Sequence, residues 1–280
     1  MTYRDRVAVV TGAGSGIGRA LTVALTRNGA HVAGWDVDPI GLAQTQAMCP
    51  HGHVTAYQVD VADRAAVFAA AEQVHDDLDA ASMVFNNAGV DLMATVEDMS
   101  MTDFDWVTSI NIGGVVNGTK AFLPQLIESG STAKPSVLVN ISSAFGLIAM
   151  PYQGAYSTAK FAVRGFTEAL RQEMIINRRP INVHCVHPGV IRTNFGASMR
   201  IPEGVDPAET TKFFDKAALT NADKAARVIL RGVDKNRPRI IIGPDGWAMA
   251  AMPRLLGVRY SDLLARATRM ASDGALATRR

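Results

Sequence analysis

Cysteine is scarce: the 280-residue chain has two, Cys49 and Cys185, far apart. With no Cys-x-x-Cys pair and no Cys/His ligand spacing, neither a disulfide framework nor a zinc site is indicated. Both read as free thiols of a reducing, cytoplasmic compartment. Long apolar runs are also missing. A membrane span needs roughly 18 uninterrupted apolar residues, and the stretch from Trp247 to Val258 is broken by Pro253 and Arg254. The first apolar run, Val7 to Val10, is too short for a secretion-signal core, so none is expected. Charge of one sign is lacking as well: 28 Lys and Arg against 26 Asp and Glu leave +2, without a basic cluster. No nucleic-acid partner is expected.

What the chain does have is apolar mass and glycine. Hydrophobic residues make up 48% of it and there are 24 glycines, enough for one domain with a large core. Short β-branched runs alternate with stretches of helical period: Val7 to Val10, His31 to Trp35, Val54 to Val59, Met83 to Phe85, Val137 to Ile141, Ile181 to Val186 and Arg239 to Ile242. Each reads as a buried parallel strand. Strand, helix, strand in repetition implies right-handed crossovers, hence an α/β, Rossmann-like doubly wound parallel sheet of about seven strands with helices on both faces. Residues 193–221 form a long polar stretch with two prolines, Pro202 and Pro207, and apolar Phe195, Met199, Phe213 and Phe214. Its composition suits a substrate lid. A C-terminal extension covers about 245–280. In it Leu263, Leu264, Ala267 and Met270 recur at helical spacing after a possible Ser261 cap, with Arg266 and Arg269 opposite. Packing on its own or a neighbouring subunit is the first reading, membrane-surface attachment the second.

After the first strand comes Thr11-Gly12-Ala13-Gly14-Ser15-Gly16-Ile17-Gly18 and then a helix. Such a turn lets the backbone approach a pyrophosphate, which free amides and the helix dipole stabilise. The spacing is T-G-x-x-x-G-x-G, not G-x-G-x-x-G. The next strand ends at Asp36, where a carboxylate accepts hydrogen bonds from the adenosine ribose. Its charge would repel a 2′-phosphate unless a cation compensated, and Ser15, Val37 and Asp38 supply none, with Arg19 the one reservation. NAD is therefore favoured over NADP.

Tyr156 and Lys160 form Y-x-x-x-K, a spacing that puts both on one helix face. A nearby ammonium stabilises a phenolate and lowers the phenol's pKa. Ser143 ends Asn140-Ile141-Ser142-Ser143 just past a strand's C-terminal end, the edge where open α/β sheets bind ligands. Asn86-Asn87-Ala88-Gly89 follows the fourth strand on that edge, and Asn111 lies near Gly113 and Gly114. His184 and His187 read as packing around the sixth strand, and no metal is expected. Apolar residues flank the pair, among them Phe145, Leu147, Ile148, Met150 and Tyr152, and suit a hydrophobic alcohol or ketone; Arg192 and Arg200 would suit an acyl or carboxylate group instead.

Taken in order along the chain, these motifs resemble the short-chain dehydrogenase/reductase family over about residues 5–245. The resemblance implies that Tyr156 is the general acid/base, that Ser143 hydrogen-bonds the reacting oxygen and that Lys160 lowers the Tyr156 pKa and holds the nicotinamide ribose. It implies that Asn111 keeps a water in a proton relay, that Asp60 and Val61 contact adenine, and that Asn87, Ala88 and Gly89 support the cofactor. Pro188, Gly189 and Val190 follow the sixth strand, and Thr193 would touch the carboxamide. A homodimer or homotetramer, built on the helix carrying Tyr156 and Lys160, is implied as well. Two readings stay beside the NAD-dependent one: an NADPH-dependent carbonyl reductase and a non-catalytic dinucleotide-binding sensor.

Overall fold

The structure, a computed structural model, describes residues 3–193, 199–201 and 217–272. Seven parallel strands form one sheet: β1 Val7–Thr11, β2 His31–Asp36, β3 Val54–Gln58, β4 Met83–Asn86, β5 Ser136–Ile141, β6 Ile181–Pro188 and β9 Arg239–Ile242, in the order β3-β2-β1-β4-β5-β6-β9. Two further pieces, β7 Ile191–Arg192 and β8 Thr220–Asn221, pair with each other. The order reverses between β1 and β4, which opens a crevice at their carboxyl ends.

Strand parity decides which helix covers which side chain. Ala8, Val10, Met83 and Phe85 face one core with α1 (Gly16–Arg27), α2 (Pro39–Ala47) and, late in the chain, α7 (Ala222–Asp234). Val9, Val84 and Leu138 face the other, against α3 (Arg64–Leu78), α5 (Gly114–Ser129) and α6 (Gly154–Ile176). Trp35 lies fully buried on this second face, 5.2 Å from the Phe122 ring of α5. At the end of α1 Gly29 takes φ +92°, the left-handed closure expected beside Asn28. Between α4 (Met101–Thr108) and α5 the helix widens into a π turn, Ser109–Gly113, around Asn111. Such turns recur at functional sites.

The C-terminal helices, α8 (Pro244–Leu256) and α9 (Tyr260–Ser272), pack less on the body than the amphipathic pattern implies. Leu263 and Met270 are 50% and 74% exposed, and the Ser261 hydroxyl donates back to Val258 O instead of capping α9. α9 begins one residue earlier, at Tyr260. No described helix is long and apolar enough to cross a membrane. Of the stretch read as a lid, residues 194–198 and 202–216 lie outside the described residues.

Candidate active site

A cleft of about 380 Å³ opens where the sheet order reverses. One wall is the glycine turn. Gly12 has φ +67°, and a Cβ there would stand 2.9 Å from Asn87 Nδ2; at Gly18 a Cβ would stand 1.9 Å from the Gly12 carbonyl oxygen. No side chain fits at Gly18, so the start of α1 presses directly on the turn. Ser15, the N-cap, makes no side-chain cap. The first amides of α1 and the positive end of its dipole thus remain for a ligand anion, and Ser15, Gly16 and Ile17 line the cleft.

Asp36 closes this end. Its Oδ2 accepts the Gly14 amide at 2.8 Å and its Oδ1 the Asp38 amide at 3.0 Å. Arg19 is already engaged, donating to Gly14 O, to Thr45 Oγ1 at 3.0 Å and to Gln44 Oε1 at 2.9 Å. Asp60 and Val61 line the same end; Asp60 Oδ1 accepts the Ala62 amide at 2.9 Å. Asn87, Ala88 and Gly89 form the next stretch of wall, held by Thr11, whose hydroxyl oxygen accepts the Asn87 and Ala88 amides at 2.9 Å each. Pro188, Gly189, Val190 and Thr193 complete it.

At the other end α6 presents Tyr156 and Lys160 one turn apart, and both line the cleft with Ser143. The Tyr156 phenol hydrogen-bonds Ser143. Ser143 Oγ also accepts the Phe145 amide at 3.1 Å, and the Phe145 ring stands edge-on to Tyr156, centroids 6.2 Å apart. Ser142 turns away, donating to Lys160 O at 2.8 Å. Lys160 is 3% exposed; its Nζ donates to Ile141 O at 3.1 Å and lies 5.4 Å from the Tyr156 ring centroid. Burial pushes the ammonium down to about 8, against the pull of Asp91. Tyr156 departs from expectation: burial and then the Asp91 charge raise its phenol above the ordinary value, opposed by the Ser143 hydrogen bond. Of these causes the Ser143 hydrogen bond alone acts to lower the phenol, and it does not offset the other two.

Asn111 is fully buried and both ends of its amide are spent on Val90: Nδ2 donates to the carbonyl at 2.8 Å and Oδ1 accepts the amide at 3.1 Å. Asn111 and Gly18 stand behind the surface; the other expected site residues line the cleft.

Three contributors escaped the sequence reading. Thr11 anchors the 87–88 wall. Asp245, at the start of α8, accepts the Val190 amide at 2.6 Å and fixes the Pro188-Gly189 turn. Asp91 lines the cleft as a buried carboxylate. Thr11 opens the turn motif, but the motif does not name its partner, and acids outside any motif carry no signal in one sequence. Met249 of α8 also reaches the cleft, so the C-terminal extension contributes to it. His184 and His187 are fully buried on β6 as expected. His51 and His53 are two apart in the turn before β3, and His53 Nδ1 pairs with Ala30 O at 3.2 Å. Among the described residues no group of three or more His, Cys, Asp or Glu is placed to hold a metal ion.

Comparison with known proteins bears on the family and the fold. The sequence profile described as short chain dehydrogenase matches residues 6–204. The chain belongs to the short-chain dehydrogenase family. SadH of Mycobacterium tuberculosis, named as an oxidoreductase, is 44% identical over 267 residues, 94% of this chain and 95% of its own. A short-chain dehydrogenase/reductase from Burkholderia phymatum, solved in complex with NAD, superposes with a TM-score of 0.82 at 25% identity, covering 95% of this chain and 96% of that one. Levodione reductase does so with a TM-score of 0.76 at 28% identity, over 89% and 99%. This short-chain dehydrogenase is accordingly an oxidoreductase with the Rossmann-like NAD-binding fold of its relatives.

Proposed function

We propose that this chain is an NAD-dependent oxidoreductase that interconverts a hydrophobic secondary alcohol and its ketone, with Tyr156 as general acid/base. The observation that carries the reading is one arrangement: a buried phenol hydrogen-bonded to Ser143, beside a buried lysine, in the cleft that the glycine turn and Asp36 close at the other end.

The residues present fit a nicotinamide dinucleotide. The turn excludes side chains at Gly12 and Gly18, the start of α1 offers amides to a pyrophosphate, and Asp36 stands where an adenosine ribose would end. Bound there, the dinucleotide supplies hydride acceptance or donation and, when oxidised, a positive charge. Asp60, Val61 and the 87–89 wall would hold the adenosine half, and Pro188 to Val190 with Thr193 the nicotinamide half. NAD is preferred because Asp36 has no free cation beside it; Arg19 is committed to the turn and to α2.

In oxidation Tyr156 as phenolate takes the hydroxyl proton; in reduction the phenol returns it. Ser143 bonds the reacting oxygen and stabilises charge developing there. Lys160, still mostly charged at neutral pH, would offset part of the burial that disfavours the phenolate, and its amine would hold the nicotinamide ribose. A water on the Asn111 backbone would connect Lys160 to solvent. Phe145, Val190, Ile191 and Met249 would give the substrate end its apolar character; Leu147 and Ile148, expected there from the sequence, are buried behind the cleft and do not line it. The assembly is proposed as a homodimer or homotetramer through α6, where Phe161, Ile175 and Ile176 are exposed, in a reducing cytoplasm that suits two free cysteines.

A panel of secondary alcohols and ketones, run with NAD and NADP and read at the absorbance of the reduced nicotinamide, tests this. Turnover of apolar alcohols with NAD is expected. Tight NAD binding with no turnover of any class would leave the sensor reading in its place, and preference for NADPH the reductase reading.

A further inference from the structure

We infer that Asp91 is a specificity-determining residue that accepts a hydrogen bond from a second donor group, a hydroxyl or an amine, on the carbon next to the reacting one. The inference rests on the alcohol/ketone reading above and names its substrate class more narrowly.

The placement of Asp91 is fixed from both sides. Its backbone carbonyl accepts the Arg200 amide at 3.1 Å, the Met93 amide donates to Arg200 O at 3.0 Å, and the Ala94 amide donates to Tyr152 O at 3.0 Å. The 91–94 segment is thus held between residue 200 and the loop that leads into α6. From there the carboxyl lines the cleft beside Tyr156 and Lys160, the residues whose charges it influences. It is 3% exposed.

The partners of this carboxylate are few. Oδ1 accepts the Leu92 amide at 2.8 Å, and Gln153 hydrogen-bonds the carboxyl. Lys160, the nearby cation, gives its hydrogen bond to Ile141 O instead. Two oxygens offer about four acceptor sites, so capacity is left over. A buried carboxylate without an ion pair costs stability, and burial pushes this one up to about 7. A packing role would be served as well by an amide, whose oxygen still accepts the Leu92 N–H. A substrate donor would repair the deficit, because a charge-assisted hydrogen bond in a dry cleft is strong. Conversely, a carboxylate on the neighbouring carbon would meet like charge and be rejected. An apolar wall with one spare anionic acceptor therefore describes a hydrophobic alcohol or ketone bearing a vicinal hydroxyl or amine, not a 2-hydroxy acid.

The test uses three probes of one skeleton, 1-phenylethanol, 1-phenyl-1,2-ethanediol and mandelate, with NAD and the intact enzyme at pH 8, where the Asp91 carboxyl is mostly ionised, on the wild type and Asp91→Asn. In the wild type kcat/KM is expected to favour the diol over the mono-alcohol by tenfold or more, with mandelate last. In Asp91→Asn the diol preference should shrink at least tenfold and mandelate should gain relative to both. Because the carboxyl is costly where it sits, the Asn variant should melt no lower than the wild type at pH 8, so folding does not confound the ratio. Should it fail to fold, the wild type alone decides, since mandelate accepted as well as the diol overturns the inference. An Asp91→Asn ratio within twofold of the wild type overturns it too. If neither these probes nor the wider panel turn over in either direction with either dinucleotide, the proposed function falls first and this inference with it.

Discussion

The Asp36 carboxylate and the Gly14 amide meet at 2.8 Å, so the residue that closes one end of the cleft, the proposed adenosine end, also holds the glycine turn. Two consequences follow from one bond. NAD should bind at least tenfold more tightly than NADP, about 1.4 kcal/mol, because a 2′-phosphate would face this charge. Asp36→Ala should narrow that gap and also weaken NAD binding, since the turn loses its tie. Titrating both dinucleotides against both proteins measures this; equal affinities in the wild type would remove the argument.

Tyr156→Phe should lower kcat by roughly 10² to 10⁴, the range for loss of a general acid/base, while NAD affinity stays near that of the wild type. Lys160→Ala should damage both quantities. The lysine is fully enclosed, donates to Ile141 O and sits under the tyrosine ring, so its removal disturbs the site's charge and its packing together. Single-turnover rates and separate binding titrations distinguish the two patterns. Normal turnover in the Phe variant would end the proposed mechanism.

Gly18→Ala should cost both stability and dinucleotide affinity. A methyl at Gly18 would stand 1.9 Å from the Gly12 carbonyl oxygen and 2.7 Å from Asn87 Nδ2, so α1 must back away from the turn. Overpacking of this kind costs about 1–3 kcal/mol. Urea unfolding with and without NAD reads the two losses separately, and a variant as stable as the wild type with unchanged affinity would contradict the contact.

All seven sheet strands were legible because β-branched runs of strand length alternate with helical period, and parity along each run matches the two cores. Ala8 and Val10 face one and Val9 the other. The two-residue strands β7 and β8 were not, being too short to carry a period. The cleft was legible wherever a motif imposes a residue type, as at Gly12, Gly18, Tyr156 and Lys160. It was illegible where the role depends on tertiary approach. Asp245 reaches Val190 across 55 positions and Asp91 owes its state to burial, which one sequence does not display. The same limit explains Tyr156: the lysine four residues on is visible in the sequence, whereas the burial and the Asp91 charge that raise the phenol are not.

The last prediction concerns acid. His184 and His187 lie fully buried on β6, their Nδ1 atoms paired with Arg237 O at 2.7 Å and Ser143 O at 2.8 Å, and both Nε2 atoms lack a partner. Burial first of all pushes each imidazole down to about 4 from an ordinary value of 6.5, because a charged ring would carry an unsatisfied N–H in the core. The unfolded chain protonates near pH 6.5 and the folded one resists until about pH 4. Stability is therefore complete above pH 6.5 and is lost as pH falls from there toward 4. The loss is on the order of 2 kcal/mol per histidine by pH 5. Against a total stability of roughly 5–15 kcal/mol, two such losses are a large share. Urea unfolding at pH 7.5, 6.0 and 5.0 should show the midpoint dropping. A double variant, His184→Asn with His187→Asn, should have a flatter profile over that range, whatever its stability at pH 7.5. A wild-type midpoint constant from pH 7.5 to 5.0 would show that these rings are protonated in the fold at little cost.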